Sequence, residues 1–394
     1  SCLDCHMPTT TYMVVDPRRD HSIRIPRPDI SLKINSPNAC NQCHTDKSVD
    51  WADKEFRKWY GDKYDTIPHF GETFHAASQN DPAAKDDLIE IINDTSKTDI
   101  VRASALNYLV TNFQDIDGLQ QIKKMLKTEL PLSKTTALQG LVNYSPESYL
   151  PSVYPHFNDS LRTIRVEAMR AVAGVPPQYF APEQKANVDK QIKEYIASVL
   201  VNADQPGANI NLGVLYATHN QLDDAANSYR DAIRIDSGAV AAYVNLADLF
   251  RMQGNDQQGE EILLNALKIN PDLAEIHYSL GLLYARRQQI NKALEYLDNA
   301  VKLQEENARF KYVYAIALNT AGKNEEAITL LNKAYHLSPN DIEILFALAT
   351  TYRDAGDNKR SQDFSKKILE LQPDNQQAKS LLESLQRLTP NDKP

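Results

Sequence analysis

Small residues recur with a fixed period in the C-terminal half of the chain. In one series they stand 34 positions apart, at Gly213, Ala247, Gly281, Ala315 and Ala349. A second series in the same phase comprises Ala225, Gly259, Ala293, Ala327 and Ser361, and a third comprises Ala232, Ala266, Ala300 and Ala334. Because only small side chains fit where two helices cross closely, the series predict five helical hairpins within residues 206–394, closed by a capping helix near residues 375–388.

Large side chains stand beside these small residues at one shared register, at Tyr216, Phe250, Tyr284, Leu318 and Tyr352. The combined pattern resembles the tetratricopeptide repeat, which implies a concave groove that holds an extended peptide or a helix of a partner protein. The share of arginine among the positions that the resemblance places in the groove favours an acidic partner. These positions include Asp248, Arg251, Tyr278, Arg286, Arg309, Tyr312, Asn319, Phe346, Thr350 and Arg353. A solvated helix face, or a solenoid that only spaces domains, would show the same residues, so both interpretations stay open.

A weaker repeat occupies residues 79–205. A basic residue stands three positions before an alanine in residues 101–106, 133–138 and 164–169, and the alanines fall 32 and 31 positions apart. We therefore predict stacked helical pairs in this region that resemble HEAT-type repeats, although their period is shorter than usual.

Residues 1–78 show little periodicity and many prolines, apart from one helix predicted over residues 48–60 with aromatic residues at helical spacing. We expect an irregular segment here that needs a bound group to complete its core. The predicted fold class is thus all-α: an irregular haem-binding segment (1–78), a HEAT-like region (79–205) and a tetratricopeptide-repeat solenoid (206–394).

The expectation of haem comes from two copies of Cys-x-x-Cys-His, which contain all 4 cysteines of the chain. The first copy comprises Cys2, Cys5 and His6, and the second comprises Cys40, Cys43 and His44. In such a motif the two thiols form thioethers to the haem vinyl groups, and the histidine that follows ligates the iron. The sequence therefore predicts two covalently attached haem c groups.

The cysteines allow two other interpretations. Four thiolates in two Cys-x-x-Cys knuckles would suit a structural zinc site, but this leaves both adjacent histidines without a role. A disulfide framework is weaker, because a chain of 394 residues can bury a large core without cross-links.

Each iron also needs a second axial ligand or an open position. His21, between the two motifs, is the first candidate, and His75 or His69 is expected to serve the other iron; Met13 is a competing soft ligand. Arg24 and Arg27 are candidates for pairing with haem propionates, because a guanidinium matches a carboxylate in geometry. The alternative is a solvated loop in which Asp16, Asp20 and Asp29 neutralise the arginines.

Composition and charge limit the other functions. A formal charge of −9 argues against nucleic acid as a general partner, and no apolar run approaches the length of a membrane span. Motifs for nucleotide hydrolysis or zinc proteolysis are not found. Because covalent haem attachment normally follows export, we expect a periplasmic protein whose signal peptide, and further N-terminal sequence, precede Ser1.

The N-terminal residues also carry a family resemblance. The stretches concerned are Cys5-His6-Met7-Pro8, Tyr12-Met13, Asp16-Pro17-Arg18-Arg19-Asp20-His21-Ser22, Arg24-Ile25-Pro26-Arg27-Pro28-Asp29 and Pro37-Asn38-Ala39-Cys40-Asn41-Gln42-Cys43-His44. They resemble bacterial multihaem cytochrome c proteins with tetratricopeptide repeats. That resemblance implies electron transfer, with a redox partner protein docked on the repeats. The alternatives are a reductase of a small nitrogen or sulfur oxyanion with one open haem, and a haem-free repeat scaffold with a four-cysteine zinc site.

Overall fold

A computed structural model describes residues 4, 6, 7, 9–19, 21, 25–61 and 69–388 of the chain. The chain divides into two compact units, of which the first comprises Ser1–Val175 and Phe180–Tyr195 and the second comprises Pro176–Tyr179 and Ile196–Pro394. The expected boundary after residue 78 lies within the first unit. The expected boundary after residue 205 lies shortly after Ile196, where the long segment of the second unit begins. The three-part division remains a prediction.

The N-terminal segment contains a small antiparallel sheet that the sequence did not lead us to expect. Strand β1 (Thr9–Tyr12) pairs with β2 (Asp16–Arg19), with Thr9 opposite Arg19. Threonine and tyrosine favour extended backbone, which accounts for the first strand. The prediction of a segment that is irregular apart from one helix is therefore corrected at this hairpin, while helices dominate the rest of the described chain and confirm the all-α class.

Four helices follow the hairpin in the first unit, namely α1 (Pro28–Ile34), α2 (Ala39–Cys43), α3 (Val49–Tyr60) and α4 (Phe70–Ser78). The helix predicted over residues 48–60 is confirmed by α3. The Ser48 hydroxyl caps its N-terminus by accepting from the Trp51 N–H at 3.1 Å. Its aromatic residues do not share one environment. Phe56 is buried, whereas Trp59 is 70% exposed.

The rest of the first unit is built from further helices. They are α5 (Ala84–Asn93), α6 (Asp99–Asn112), α7 (Ile116–Met125), α8 (Pro131–Gly140), α9 (Pro146–Val153), α10 (Arg162–Val172) and α11 (Lys185–Val199). Helix α8 packs against both α6 and α10, and these three helices carry the three copies of the weaker repeat. The resemblance to HEAT repeats remains a prediction, although the helix of the second copy does pack against the helices of the first and third.

The basic residue of each copy is buried or half-buried and bonded. Arg102 donates from Nε to the carbonyl oxygen of Ile92 at 2.8 Å, and Lys134 pairs with Asp159 at 3.2 Å. Arg165 holds the carboxylate of Glu194 through two hydrogen bonds of 2.9 and 2.6 Å. Because an unpaired buried charge is costly, these contacts explain why the repeat tolerates a cation inside the unit.

The second unit contains helical hairpins followed by a last helix. The described hairpins are α12 (Pro206–Thr218) with α13 (Leu222–Ile235), α14 (Val240–Met252) with α15 (Asp256–Ile269), α16 (Ala274–Arg286) with α17 (Ile290–Leu303), α18 (Ala308–Thr320) with α19 (Asn324–Leu337), and α20 (Ile342–Asp354) with α21 (Asn358–Leu371). Helix α22 (Gln376–Leu388) packs against α21. These helices confirm the five predicted hairpins and the C-terminal helix.

The small residues of the periodic series lie where the paired helices touch. Ala225, Ala293 and Ala327 are fully buried, and Ser361 occupies the same register in the last hairpin. At Gly281 an added Cβ atom would lie 2.6 Å from Cγ of Leu297, far inside ordinary contact distance. The helices of that hairpin are therefore close enough that only glycine fits.

A fourth periodic series, missed in the sequence, ends the first helix of each hairpin. The residues at this register have positive φ: Asn220 (59°), Gly254 (73°), Gln288 (57°), Gly322 (77°) and Gly356 (83°). The next N–H in each turn donates to the carbonyl of the large residue of the repeat, as from Asn255 to Phe250 at 2.8 Å. This left-handed cap satisfies carbonyls that the helix end leaves free.

The length and the apolar character of the described helices decide whether one of them could cross a membrane. None of the helices formed by the described residues combines the length with the apolar character that crossing a bilayer requires.

Candidate functional site

A groove of about 640 Å³ runs between α14 and α16, the first helices of two successive hairpins. Its floor is apolar and consists of the buried residues Ala247, Leu263 and Leu283. The half-buried side chains of Val244 and Leu282 form its walls. The volume lies in the range of sites that bind drug-sized ligands or anchor side chains of a partner, roughly 300–1,000 Å³.

Two stacked aromatic rings limit one end of this groove. The ring centroids of Tyr278 on α16 and Phe310 on α18 are 4.7 Å apart, with 23° between the planes. Phe310 belongs to a buried cluster with Ala274 and Ala300, whereas Tyr278 is half-buried. The core therefore fixes Phe310, and Phe310 in turn holds the Tyr278 ring in place against the groove.

The arginines predicted for this part of the groove are engaged by nearby carboxylates. Nε of Arg251 donates to Asp248 at 2.8 Å within α14. Arg286 on α16 donates to Asp256 on α15 at 2.9 Å. The positive charge that suggested an acidic partner is thus balanced within the solenoid itself.

The remaining predicted groove residues show the same arrangement in the later repeats. Arg309 pairs with Glu343 of the next hairpin. Asp354 accepts from Arg353 at 2.7 Å and from the amide of Asn319 at 3.1 Å. Each predicted arginine is therefore paired with a carboxylate of its own or a neighbouring helix. The structure does not gather their guanidinium groups into one cationic surface.

Glu275 is the groove residue whose charge has a different environment. It lines the groove and is exposed, and it accepts a hydrogen bond of 2.7 Å from the neutral side chain of Gln304. Among the described residues it forms no ion pair. Arg309, at the equivalent position one repeat later, is paired with Glu343 instead. The groove edge thus carries a carboxylate with no cation to balance it.

A second cavity, of about 580 Å³, is lined by α15 and α17, the second helices of their hairpins. Beside it, Glu260 accepts from the hydroxyl of Tyr284 at 2.6 Å and pairs with Arg287. Burial alone would raise the pKa of Glu260, but these two hydrogen bonds outweigh it and hold the pKa below its ordinary value. The three side chains form a structural link between hairpins, and they explain why a carboxylate is tolerated there.

Among the residues that line the groove, Asp248, Tyr278 and Arg286 could be predicted from the sequence, whereas the floor, Val244 and Glu275 were missed. A signal for Val244 was available, because it stands at the same register of the period as Tyr278, Tyr312 and Phe346. An apolar or aromatic residue that recurs on the first helices, without being needed for the hairpin crossing, indicates a lined surface.

The second Cys-x-x-Cys-His motif lies on one short turn of helix. Asn38 caps α2, since its Oδ1 accepts from the N–H of Cys40 at 3.0 Å and from that of Asn41 at 3.2 Å. The N–H of His44 donates to the Cys40 carbonyl at 3.0 Å. Residues three apart share a helix face, so Cys40 and Cys43 lie on the same side of the turn, immediately before His44.

The two thiols of this motif are accessible for chemistry. Cys40 is half-buried and Cys43 is exposed. The exposed His44 ring packs against Trp51 of α3, with ring centroids 4.7 Å apart. Two cysteines and an adjacent histidine are the residues that covalent haem attachment and ligation require, so the described residues of this motif fit that group.

The first motif is only partly described. Cys2 and Cys5 lie outside the described residues, and His6 is half-buried. Arg24 also lies outside them. Arg27 holds Asp29 in a bidentate ion pair with hydrogen bonds of 2.8 and 2.7 Å, and a haem propionate would have to share that guanidinium.

The candidate distal ligands occupy different environments. His21 and His75 are exposed, and Met13 lies at the hairpin turn with 79% of its surface exposed. Nδ1 of His69 accepts from the Gly71 N–H at 3.0 Å, so the neutral ring carries its proton on Nε2 and has no free lone pair there. This hydrogen bond favours His75 over His69 as a ligand.

These side chains are not gathered into a metal site. The described His, Cys, Asp and Glu residues contain no group of three or more that could hold a metal ion. A four-thiolate zinc site would need Cys2 and Cys5, which lie outside the description. The zinc and haem assignments therefore both remain predictions.

Comparison with known proteins identifies the helical part of the chain. A family model described as the cilia and flagella-associated protein 70 C-terminal domain matches residues 166–390, which is more than half of the chain. No curated protein sequence matches the chain.

Solved structures with similar repeats cover somewhat less than half of the chain. YrrB, a TPR protein with an unusual peptide-binding site, is 21% identical over 48% of this chain and 96% of its own, with a TM-score of 0.39. MamA is 21% identical over 41% and 95%, with a TM-score of 0.37. PilF of Pseudomonas aeruginosa is 18% identical over 46% and 83%, with a TM-score of 0.41.

The family match covers all five described hairpins and begins within α10. Together with the 34-residue register and the left-handed caps, it establishes a tetratricopeptide-like repeat protein. The chain belongs to the family of the cilia and flagella-associated protein 70 C-terminal domain.

Proposed function

We propose that the chain is a repeat scaffold that binds a segment of a partner protein in the groove between α14 and α16. The observation that carries this proposal is the groove of about 640 Å³ itself, whose apolar walls of Val244 and Leu282 are only half-buried although its floor belongs to the closed core. An accessible apolar surface of this kind stabilises a complex when a partner side chain removes it from water.

The lining of the groove favours binding over catalysis. The described residues that line it include neither histidine nor cysteine, and its only charged side chains are Asp248, Glu275 and Arg286. Two of these are engaged in ion pairs. A rigid apolar floor with fixed polar edges is suited to recognising side chains of a bound peptide.

The backbone of the groove also favours side-chain recognition. The first helices satisfy their own N–H and C=O groups, and the left-handed caps satisfy the carbonyls at their ends. A partner therefore has no open strand edge to extend. Its affinity must come from anchor side chains in the groove and from charges at the edge.

A matched pair of variants tests this proposal. Val244→Glu places a charge on the groove wall, and Leu264→Glu does the same in the second cavity; both residues are half-buried and pack on the same core cluster. Short random peptides selected on the full chain by phage display are then resynthesised and titrated against both variants.

We expect Val244→Glu to weaken binding by about tenfold or more, because it places a charge against the anchor side chain, and Leu264→Glu to retain it. Thermal unfolding of both variants reports any shared loss of stability. Equal affinity of the two variants for every selected peptide would contradict the groove as the binding site.

A second candidate function concerns the N-terminal segment. We propose that Cys40 and Cys43 attach haem c, with His44 as an axial ligand and a second haem on the first motif. The support is the capped turn of α2, which carries Cys40 and Cys43 on one side, immediately before His44. In that case the protein would be an exported, periplasmic electron carrier, and its repeats would dock a redox partner.

Within this proposal the chain's own residues would position the group. Trp51 packs on the His44 ring and restricts its orientation, and Asn38 fixes the spacing of the two thiols. Bound haem would supply reversible one-electron chemistry at its iron. His75 and His21 are the second ligands that we propose.

Intact mass and absorption spectra test the haem proposal on protein produced with a haem-attachment system. We expect a mass increase of two haems, and of one haem in the Cys40→Ser/Cys43→Ser variant, since each motif carries its own group. Low-spin spectra in both redox states would favour an electron carrier, and high-spin features would favour an oxyanion reductase. A colourless protein that binds zinc would leave the repeat scaffold alone.

A further inference from the structure

We infer that the groove between α14 and α16 selects a partner segment with one bulky apolar anchor next to a lysine or arginine. This inference rests on the proposed function and adds the chemistry of the partner to it. It also replaces the acidic partner that the arginine content suggested by a basic one, because those arginines are already paired with carboxylates of the protein.

The anchor follows from the shape and lining of the groove. Its floor of Leu263 and Leu283 is buried under the walls of Val244 and Leu282, and the groove volume of about 640 Å³ exceeds what a small side chain would fill. A leucine, methionine or phenylalanine would displace water from the groove and cover its half-buried walls, and an aromatic ring could also contact Tyr278.

The edge of the groove disfavours an acidic ligand. Arg251 and Arg286 already donate to Asp248 and Asp256 at 2.8 and 2.9 Å. A ligand carboxylate would have to compete for these guanidinium groups and would meet the resident carboxylates at short range. Like charges at such distances repel, so specificity against acidic segments is built into the edge.

The same edge favours a cation beside the anchor. Glu275 lines the groove and accepts only the neutral amide of Gln304 at 2.7 Å among its described contacts. An ammonium or guanidinium group could therefore approach Glu275 without breaking an existing ion pair. The cation at this register in the next repeat, Arg309, pairs with Glu343 and therefore forms no ion pair with Glu275.

Three synthetic peptides that differ only at the residues in question test the inference on the full chain. The first contains Gly-Ser-Lys-Phe-Lys-Ser-Gly, the second replaces both lysines by glutamate, and the third replaces the phenylalanine by alanine. Fluorescence anisotropy with a terminal label gives the affinity of each. Glu275→Gln and, as a matched control in the second cavity, Glu261→Gln are titrated in parallel.

We expect the lysine peptide to bind about tenfold more tightly than either of the others. Glu275→Gln should weaken its binding by about threefold, and Glu261→Gln should leave it unchanged. Tighter binding of the glutamate peptide, with that binding lost in Val244→Glu, would overturn the inference while the proposed groove function stands. Failure of all three peptides to bind would overturn both.

Discussion

A Cβ atom at Gly213 would lie 2.3 Å from Cε1 of Tyr229. Gly213 is on α12 and Tyr229 is on α13, so the tyrosine ring fills the space that a side chain at position 213 would need. The ring is 3% exposed, and burial raises the pKa of Tyr229 to about 12. The first hairpin is thus closed by an aromatic ring packed directly on a bare helix backbone.

We expect Gly213→Ala to destabilise the protein by about 1–3 kcal/mol, because the new methyl group must displace the Tyr229 ring. Gly207→Ala is the matched control in the same helix, since nothing lies within 4 Å of its added Cβ atom. Urea unfolding of both variants measures the difference. Equal stability of the two variants would contradict the close packing of this hairpin.

The left-handed cap after α16 predicts a stabilising substitution. Gln288 has φ of 57°, a conformation that costs a residue with a side chain about 1 kcal/mol relative to glycine, whereas Gly254 and Gly322 occupy the same register in neighbouring repeats. Gln288→Gly should therefore raise the free energy of unfolding by roughly 0.5–1 kcal/mol. Gly254→Gln should lower it, and thermal melts that moved in the same direction for both would refute the argument.

A carboxylate of one helix caps another in the first unit. Asp99 at the start of α6 accepts from the N–H groups of Leu132 and Ser133 at 2.9 and 3.0 Å, and from the Ser133 hydroxyl at 2.6 Å. Asp99→Ala leaves the first turn of α8 uncapped and should cost about 1–2 kcal/mol by chemical denaturation. Asp189→Ala, at an exposed position of α11, should cost far less. A similar cost for the two would argue against this cap.

The ion pair of Arg165 with Glu194 predicts a pH dependence of stability. The hydrogen bonds from Arg165 lower the pKa of Glu194 below its ordinary 4.5, so the pair contributes fully above that value and is lost as pH falls through the depressed pKa. We expect Glu194→Gln to be about 1–2 kcal/mol less stable than wild type at neutral pH, and this gap to close below pH 4.5.

Unfolding of the two proteins measured across that pH range checks the sign. Glu183→Gln, at an exposed position, is the control and should follow the wild-type curve. If the difference in unfolding free energy between wild type and Glu194→Gln persisted unchanged below pH 4.5, the carboxylate would contribute by packing and not by its charge.

The repeat architecture could be predicted because its cause is local. Residues such as Ala225 and Ala293 are small for one steric reason that recurs with the period. The left-handed caps were missed because asparagine and glutamine occupy two of the five positions, at Asn220 and Gln288, and so obscure the glycine signal. A backbone requirement met by several residue types leaves only a weak pattern in a single sequence.

The charge of the groove could not be predicted from residue types alone. Arg286 and Arg309 were counted as free cations, but Arg286 reaches Asp256 of the preceding repeat and Arg309 reaches Glu343 of the following one. Which carboxylate meets which guanidinium depends on how successive hairpins stack. The β-hairpin in which Thr9 pairs with Arg19 was missed for a similar reason. Its first strand is a short run of threonines, and its second strand has the residue types of a charged loop.

A double-mutant cycle between Glu275 and the lysines of the bound peptide tests the account most directly. We expect Glu275→Gln to weaken binding of the Lys-Phe-Lys peptide by about threefold, yet to leave unchanged the affinity of the same peptide with both lysines replaced by glutamine. This coupling requires the lysine to lie beside Glu275 in the groove. Equal losses for the two peptides, measured by isothermal titration calorimetry, would contradict it.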